Sequence, residues 1–574
     1  MSVVSRSAQL VRLHLLSAIF LGIGSLLAYR LYSVQIQEHQ RFAELALEER
    51  FQTSTIPAHR GALLDATGNP LAVSVSYDAV ELAGAELRDP RATADALAPL
   101  LEMRPEDILA RIDPTSKVLR PVKTELPSAV AAQIQALELP GVYLRQVPVR
   151  VYPEGSIAPQ VLGFVGQDQK GLAGLEFSLD DLLTGKPGVL QSERDAEGRD
   201  LALGQQVIVA PEQGADLVLT IDRFVQRLAE RTLADAVAKN KASGGQILIM
   251  EPKTGAILAM ASWPTFSLTD EDRLKPGQES LLKTVQVANQ YEPGSVMKPV
   301  TMAAGLEEHL VTPNTMINDT GIVEVGGATL RNWDLRANGP ISMTEVLIHS
   351  SNIGAQYVSG LLGADRFYRY VDAFGFGHPT GVDLPGEVPG TVRMPADPGW
   401  GRVDLATNAY GQGIAVTPLQ MLTAISTIAN GGVRMKPQIV RQIRRNGQSE
   451  PVPPQPVREV ISPASAQTLT EMMVAVLEQP ALAGDRIPGY RFAGKTGTAD
   501  LPTSLGYTTG KTFASIVAFG PLPDTRFSLL VRLDAPEAIY GGVVAAPVMK
   551  RLVEELVAYY RIPPGGVGLP PARP

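Results

Sequence analysis

Cysteine is absent from all 574 residues, which excludes disulfides, thiolate nucleophiles, iron–sulfur clusters and cysteine-type zinc sites. Histidine is scarce and scattered. No two of His14, His39, His59, His309, His349 and His378 have the i, i+4 spacing of a helical metal site. Neither a metal nor another cofactor is therefore expected. Basic charge is not in excess, since 51 cationic and 59 acidic side chains leave a net charge of −8. Without surplus cations to neutralise phosphates, nucleic acid is not an expected partner. Long apolar runs are lacking beyond the first 35 residues, which excludes a multi-span membrane protein. A hydrophobic content of 45% excludes a disordered chain, and the length allows roughly two to four domains.

What the sequence does contain begins at its N-terminus. Leu13 to Tyr29 is a run without charge. As a helix it would measure about 25 Å, slightly short of a ~30 Å hydrocarbon core. Leu31, Tyr32 and Val34 extend it if Arg30 snorkels. Arg6 and Arg12 precede the run with no acid between them. Residues 1–12 are thus expected to stay cytoplasmic, 13–34 to cross the membrane once, and the remainder to be exported. A cleaved signal peptide is the rival reading. Small residues at the −3 and −1 positions of a cleavage site are hard to place in Leu27-Ala28-Tyr29-Arg30-Leu31-Tyr32.

Glu38 to Arg50 reads as a polar helix leading away from the membrane. Residues 35–215 form an expected pedestal domain of mixed texture, with short apolar runs broken by turns such as Gly185-Lys186-Pro187-Gly188. No cluster of convergent polar side chains stands out in it, so it reads as a spacer or interaction module. The pattern changes at Asp216. Val218 to Asp222 predicts a strand ending at an N-cap, followed by a helix to about Val237. Gln246–Met250 and Ala256–Ala261 flank Pro252-Lys253-Thr254-Gly255 as a hairpin. Two more strands fit Phe513–Phe519 and Phe527–Leu533, and a closing helix carries Met549, Leu552, Leu556 and Tyr560 on one face. Strands at both ends of a helical middle imply an α+β domain over 216–562, an antiparallel sheet covered by helices. The five prolines within 448–463 read as a surface loop, and 563–574 as a disordered tail.

The chemistry lies in that helical middle. Ser295 and Lys298 are three residues apart, so on a helix the ammonium reaches the hydroxyl. Pro299 is tolerated only in a first turn, which puts Ser295 at a helix N-terminus where backbone N–H groups and the dipole favour developing negative charge. A desolvated lysine there can take the Oγ proton and activate the serine as a nucleophile. Ser280 and Lys283 share the spacing but lack the preceding turn, and read as a helix-surface coincidence. Order adds weight: Ser350-Ser351-Asn352 follows, then Lys495-Thr496-Gly497-Thr498 after Arg491-Phe492-Ala493-Gly494, a run that reads as a strand lining a cleft. Lys253-Thr254-Gly255 mimics the last motif, precedes the serine, and belongs to the hairpin turn.

The ordered triple is the signature of serine penicillin-recognising enzymes. Its wider context resembles class B penicillin-binding proteins, specifically the division-type FtsI peptidoglycan transpeptidases. Glu292-Pro293-Gly294-Ser295, Tyr410-Gly411-Gln412-Gly413-Ile414, Thr417-Pro418-Leu419-Gln420 and Ala429-Asn430-Gly431-Gly432 all match that pattern. So do Arg60-Gly61 with Leu64-Asp65 and Gly68, Arg150 with Tyr152-Pro153, and Gly174-Leu175-Glu176. Ala66 stands where a basic residue is usual, and Ser267-Leu268 replaces a usual Asp-Pro-Asn stretch.

The resemblance implies a D,D-transpeptidase acting on the stem peptides of septal cell wall, donor and acceptor, and acylated by β-lactams. It implies that Ser295 attacks the penultimate D-Ala carbonyl with Lys298 as base, that Ser350 relays a proton, and that Asn352 holds the donor. Lys495, Thr496 and Thr498 would bind the terminal carboxylate, with the N–H groups of Ser295 and Thr498 as oxyanion hole. Gly497 is expected to keep its strand bare for the substrate backbone. An FtsW-type glycosyltransferase and other division-machinery membrane proteins are the implied partners, at the septum of a bacterial cell. An elongation-type transpeptidase, a membrane-bound β-lactam hydrolase or sensor, and a non-catalytic scaffold are the alternatives. His349 reads as pointing off its helix face, Glu292 as bonding its own turn, and Trp263, Trp333 and Trp400 as core or rim.

Overall fold

The computed structural model describes residues 6–43, 51–116, 118–166, 168–193, 206–269, 277–503 and 506–565. Residues 1–5, most of the expected polar helix (44–50) and most of the expected tail (566–574) lie outside the described residues. The chain divides into two compact units, 1–58 with 185–213, and 59–184 with 214–574. Residues of the expected pedestal occur in both.

In the first unit, Arg6–Tyr32 is an α-helix that continues as a π turn, Ser33–Gln37. The helical stretch Leu10–Gln37 is the one span among the described residues long and apolar enough to cross a membrane, and its most apolar window has no buried residue. This unit also holds a three-stranded antiparallel sheet in the order Phe51–Ile56, Gly188–Glu193, Gln206–Val209.

The second unit opens with a mixed sheet. Its long strand Pro70–Leu82 pairs from Val73 to Leu82 with Val142–Val151 and also with Arg120–Leu126. A polar cluster that the sequence reading did not anticipate lies beside it. Glu176, 0% exposed, accepts from Arg60 Nε at 2.6 Å and from Arg150 Nε at 2.7 Å. Arg60 Nη1 also donates to Asp180 at 2.6 Å and Thr184 at 2.7 Å. Two guanidinium groups can sit out of water here because one carboxylate and its neighbours occupy most of their donors, Arg150 Nη2 being left without a partner. Arg60 and Glu176 are 116 residues apart, a separation at which no local pattern can announce a contact.

The sheet that carries the site has five antiparallel strands. Their spatial order is Ala256–Trp263, Gly244–Glu251, Phe527–Asp534, Gly506–Gly520, Ala493–Thr503. Alternation of side chains divides its two faces. Ile247, Ile249, Leu529, Val531 and Leu533 pack in one core with helices Arg223–Asn240 and Ala546–Tyr559. Leu248, Met250 and Leu530 belong to the other, with helices Lys298–Glu307, Asn352–Ala373, Pro418–Ala429 and Pro463–Leu477. Both faces are covered, which explains why the inner strands read as continuous apolar runs. Asp222 caps Arg223–Asn240 by accepting from the N–H groups of Phe224 and Val225. Tyr560 falls just past the end of the closing helix.

The proline-rich stretch departs from the expected loop. Gln448–Pro451 and Pro456–Glu459 are short exposed strands, pairing with Val440–Arg445 and Val433–Met435. Exposed strands tolerate proline because the missing N–H faces no partner.

Candidate active site

The site starts from a constraint at Pro299. In an unbroken α-helix its nitrogen would donate to the Ser295 carbonyl, and proline has no N–H. The Lys298 N–H takes that carbonyl instead, closing a 3₁₀ turn over Gly294–Met297 before the α-helix Lys298–Glu307. The α-helix thus starts three residues later than the serine, where a helix N-terminus at Ser295 was expected. In 3₁₀ geometry residues i and i+3 eclipse. Lys298 Nζ donates to Ser295 Oγ at 3.0 Å.

Ser350 faces this pair from the junction of helices Met343–Ile348 and Asn352–Ala373. Its backbone is left-handed, φ 57°, a conformation a non-glycine residue holds only when its surroundings impose it. Lys298 Nζ donates to both the carbonyl and the hydroxyl of Ser350, the latter at 3.1 Å. Lys495, on the strand Ala493–Thr503, donates to Ser350 Oγ and to the Thr496 carbonyl, each at 3.0 Å. Burial, with the neighbouring Lys495 charge, holds Lys298 well below the ordinary lysine range, and Asp319 opposes that effect. Burial lowers Lys495 to about 7. One amine is therefore suited to accept a proton and the other is poised to gain one.

Asn332 fixes the Ser350 corner. Its Oδ1 accepts from the Asn352 N–H at 2.9 Å, and its Nδ2 donates to both oxygens of buried Asp319 at 2.9 Å. Asn338 adds a 2.6 Å bond to Asp319. Sequence reasoning missed this brace, because asparagines in a loop are ordinary turn residues. The Asn352 side chain donates to the Arg331 carbonyl at 2.9 Å.

A cleft of about 290 Å³ opens over these groups, lined by Ser295, Ser350, Thr496, Thr498, Trp333 and Tyr540. Lys298 and Lys495 lie beneath, 1% and 0% exposed. Trp333 and Tyr540 meet edge-on with centroids 5.4 Å apart, and Thr498 Oγ1 accepts from the Gly541 N–H at 3.2 Å. His349 also borders the cleft, at the end of the helix that closes at Ile348, and is exposed. Glu292 reaches beyond its own turn and accepts from the Gly413 N–H at 2.9 Å.

Gly497 has a different reason from the one expected. A Cβ there would lie 2.5 Å from Ser515 Oγ and 2.8 Å from Val296 Cγ1. The protein itself fills that space, and the bare Cα lets the turn that carries Ser295 sit against the strand that carries Lys495. The look-alikes fall elsewhere. Ser280 and Lys283 are exposed, and Lys253 is an exposed turn residue paired with Asp524 at 2.6 Å.

Comparison with known families assigns this constellation. The penicillin binding protein transpeptidase domain matches residues 245–554. The penicillin-binding protein dimerisation domain matches residues 55–219. The chain is a class B penicillin-binding protein. It is 33% identical to Stage V sporulation protein D of Bacillus subtilis, over 94% of this chain and 83% of that protein. It is 30% identical to the peptidoglycan D,D-transpeptidase FtsI of Escherichia coli, over 89% of this chain and 85% of that one. The crystal structure of penicillin-binding protein 3 from Mycobacterium tuberculosis, complexed with aztreonam, superposes with a TM-score of 0.70. It is 26% identical and covers 89% of this chain and 98% of that chain. This class B penicillin-binding protein is accordingly a peptidoglycan D,D-transpeptidase. Its transpeptidase match contains Ser295, Ser350 and Lys495, and its dimerisation match contains Arg60, Arg150 and Glu176.

Proposed function

We propose that this protein cross-links stem peptides of septal cell wall through an acyl-enzyme on Ser295. The observation that carries this reading is the position of Lys298 Nζ, 3.0 Å from Ser295 Oγ and 3.1 Å from Ser350 Oγ. Neutral Lys298 takes the Ser295 proton as Oγ attacks the penultimate D-Ala carbonyl. Backbone N–H groups of Ser295 and Thr498 receive the oxyanion, a contribution worth roughly 3–4 kcal/mol per donor in acyl-transfer enzymes. The proton passes by way of Ser350 to the leaving D-Ala amine, and Asn352 orients the donor peptide. Lys495, drawn to its charged form by an arriving carboxylate, binds the peptide terminus with Thr496 and Thr498, while Gly497 sets their spacing from the nucleophile. An amine of a second stem peptide then takes the acyl group. β-Lactams, as carboxylate-bearing acyl donors, follow the first half of this path and stop at the adduct.

The proposed organisation is a cytoplasmic tail (1–12), an anchor (13–34), a pedestal (35–215), the transpeptidase domain (216–562) and a tail (563–574). The anchor and pedestal would hold the enzyme beside an FtsW-type glycosyltransferase and other division membrane proteins. Restriction to two dimensions raises the effective concentration of partner and substrate.

Exposure of the full chain to benzylpenicillin, followed by peptide mapping, tests the reading. The adduct is expected on Ser295, absent in Ser295→Ala and unchanged in Ser280→Ala. Labelling that persists in Ser295→Ala overturns the assignment. Replacing residues 13–34 by an unrelated spanning helix tests the partner: a specific contact predicts loss of division with penicillin labelling intact.

A further inference from the structure

A second cavity, of about 270 Å³, opens where helix Asn352–Ala373 ends, helix Pro418–Ala429 begins and strand Val433–Met435 passes. It shares no lining residue with the Ser295 cleft. Arg434, Lys436, His378, Asp372 and Thr380 supply its charged and polar wall.

Arg434 is the anomaly. Its guanidinium lies against the backbone of Gly375, where a Cβ would fall 2.0 Å from Nη1. Its buried Nε has no hydrogen-bond partner. Burial lowers its pKa, Arg458 adds to that effect, and only Asp372 opposes it. Asp372 is already engaged, 2.8 Å from His378 Nε2 and 3.5 Å from Arg458 Nη1. Glu387, bonded to the lining residue Thr380, accepts from the N–H groups of Thr380 and Gly381 at 2.7 and 3.0 Å. Gln420 spends its amide on the carbonyls of His378 and Pro389. Arg434 and Lys436 thus line a cavity whose one lining carboxylate, Asp372, is committed.

Burying the Nε of a half-buried guanidinium without a partner is costly, and the cavity beside Arg434 gives room for one. A planar guanidinium fork matches carboxylate and phosphate oxygens two at a time. We propose that this cavity is an anion-binding site, taking a carboxylate or phosphate group on Arg434, with Lys436 as a second contact. Its volume falls just under the usual ligand pocket of roughly 300–1,000 Å³, which suits a small anionic headgroup. The site lies at the far end of the helix that begins at Asn352, and its function does not depend on acyl transfer at Ser295.

The test is thermal unfolding of the full chain in detergent, titrated with inorganic phosphate or with N-acetylmuramic acid against potassium chloride of matched ionic strength. Saturable stabilisation is expected, a rise of about 2 °C or more over the chloride control. Arg434→Met should abolish the rise, and Lys436→Gln should shift its midpoint several-fold to higher ligand. A response to phosphate alone identifies a phosphate source, and a response to the sugar acid alone identifies a carboxylate. No saturable rise with either anion overturns the proposal, as does a rise unchanged in both variants. Penicillin labelling of the same samples reports on Ser295 separately.

Discussion

Lys298 and Lys495 donate to one oxygen, Ser350 Oγ, at 3.1 and 3.0 Å. Two ammonium groups so placed, and buried, repel each other, so the pair favours states with a single proton. The hydroxyl between them joins the amine beside Ser295 Oγ to the amine on the strand Ala493–Thr503.

Lys298→Ala should reduce the acylation rate by about 10²- to 10⁴-fold, the usual contribution of a positioned base. The fold should survive, because the change removes a buried amine and leaves no charge unpaired. Stopped-flow kinetics with a fluorescent penicillin measures it, and a loss under about tenfold would reassign the base.

Acylation should have a bell-shaped pH profile. Lys298 must be neutral, and its pKa lies well below the ordinary value, so the rate falls when pH drops through that lowered pKa. Lys495 must be charged to hold a carboxylate and titrates at about 7, so the rate also falls as pH rises through neutrality. Lys495→Arg keeps its charge and should erase the alkaline limb while the acid limb remains. A neutral activated ester should show no alkaline limb with either protein.

Gly497→Ala should lower acylation at least tenfold and lower Tm, since the new methyl meets Ser515 and Val296. Val296→Ala in the same chain should recover part of both losses. Overpacking of this kind costs about 1–3 kcal/mol. Full activity in the single variant would mean that the turn and strand are free to separate.

Glu176→Gln should destabilise the protein by about 3–5 kcal/mol, the loss expected when one partner of a buried ion pair is removed. Arg60 and Arg150 would be left without their shared carboxylate. Thermal unfolding measures the loss, and acylation by the folded fraction at 25 °C should be unchanged.

Much of the site was legible because its parts are local. Ser295, Lys298 and Pro299 specify one turn, and Ser350 to Asn352 another. The hairpin at Pro252 and the closing helix were legible for the same reason, as periodicity and turn chemistry act over a few residues. What escaped was held by distance. Asn332 reaches Asn352 across 20 residues and Arg60 reaches Glu176 across 116. Gly497 was misread because its neighbours, Val296 and Ser515, come from two other elements. A glycine in a strand announces a close approach without saying whose atoms approach.

The strand that carries Lys495 is the outermost of its sheet. One side of it therefore offers N–H and C=O groups to whatever extended chain arrives, which in most proteins invites aggregation. Here the turn Gly294–Met297 and helix Pro463–Leu477 pack against that strand, and Thr496 and Thr498 line the cleft. A guest that lies down as an added strand would do so along the wall that carries Thr496 and Thr498. The unpaired edge of the sheet is thereby a feature of the cleft's own wall, and what is a hazard elsewhere stands here beside Ser295.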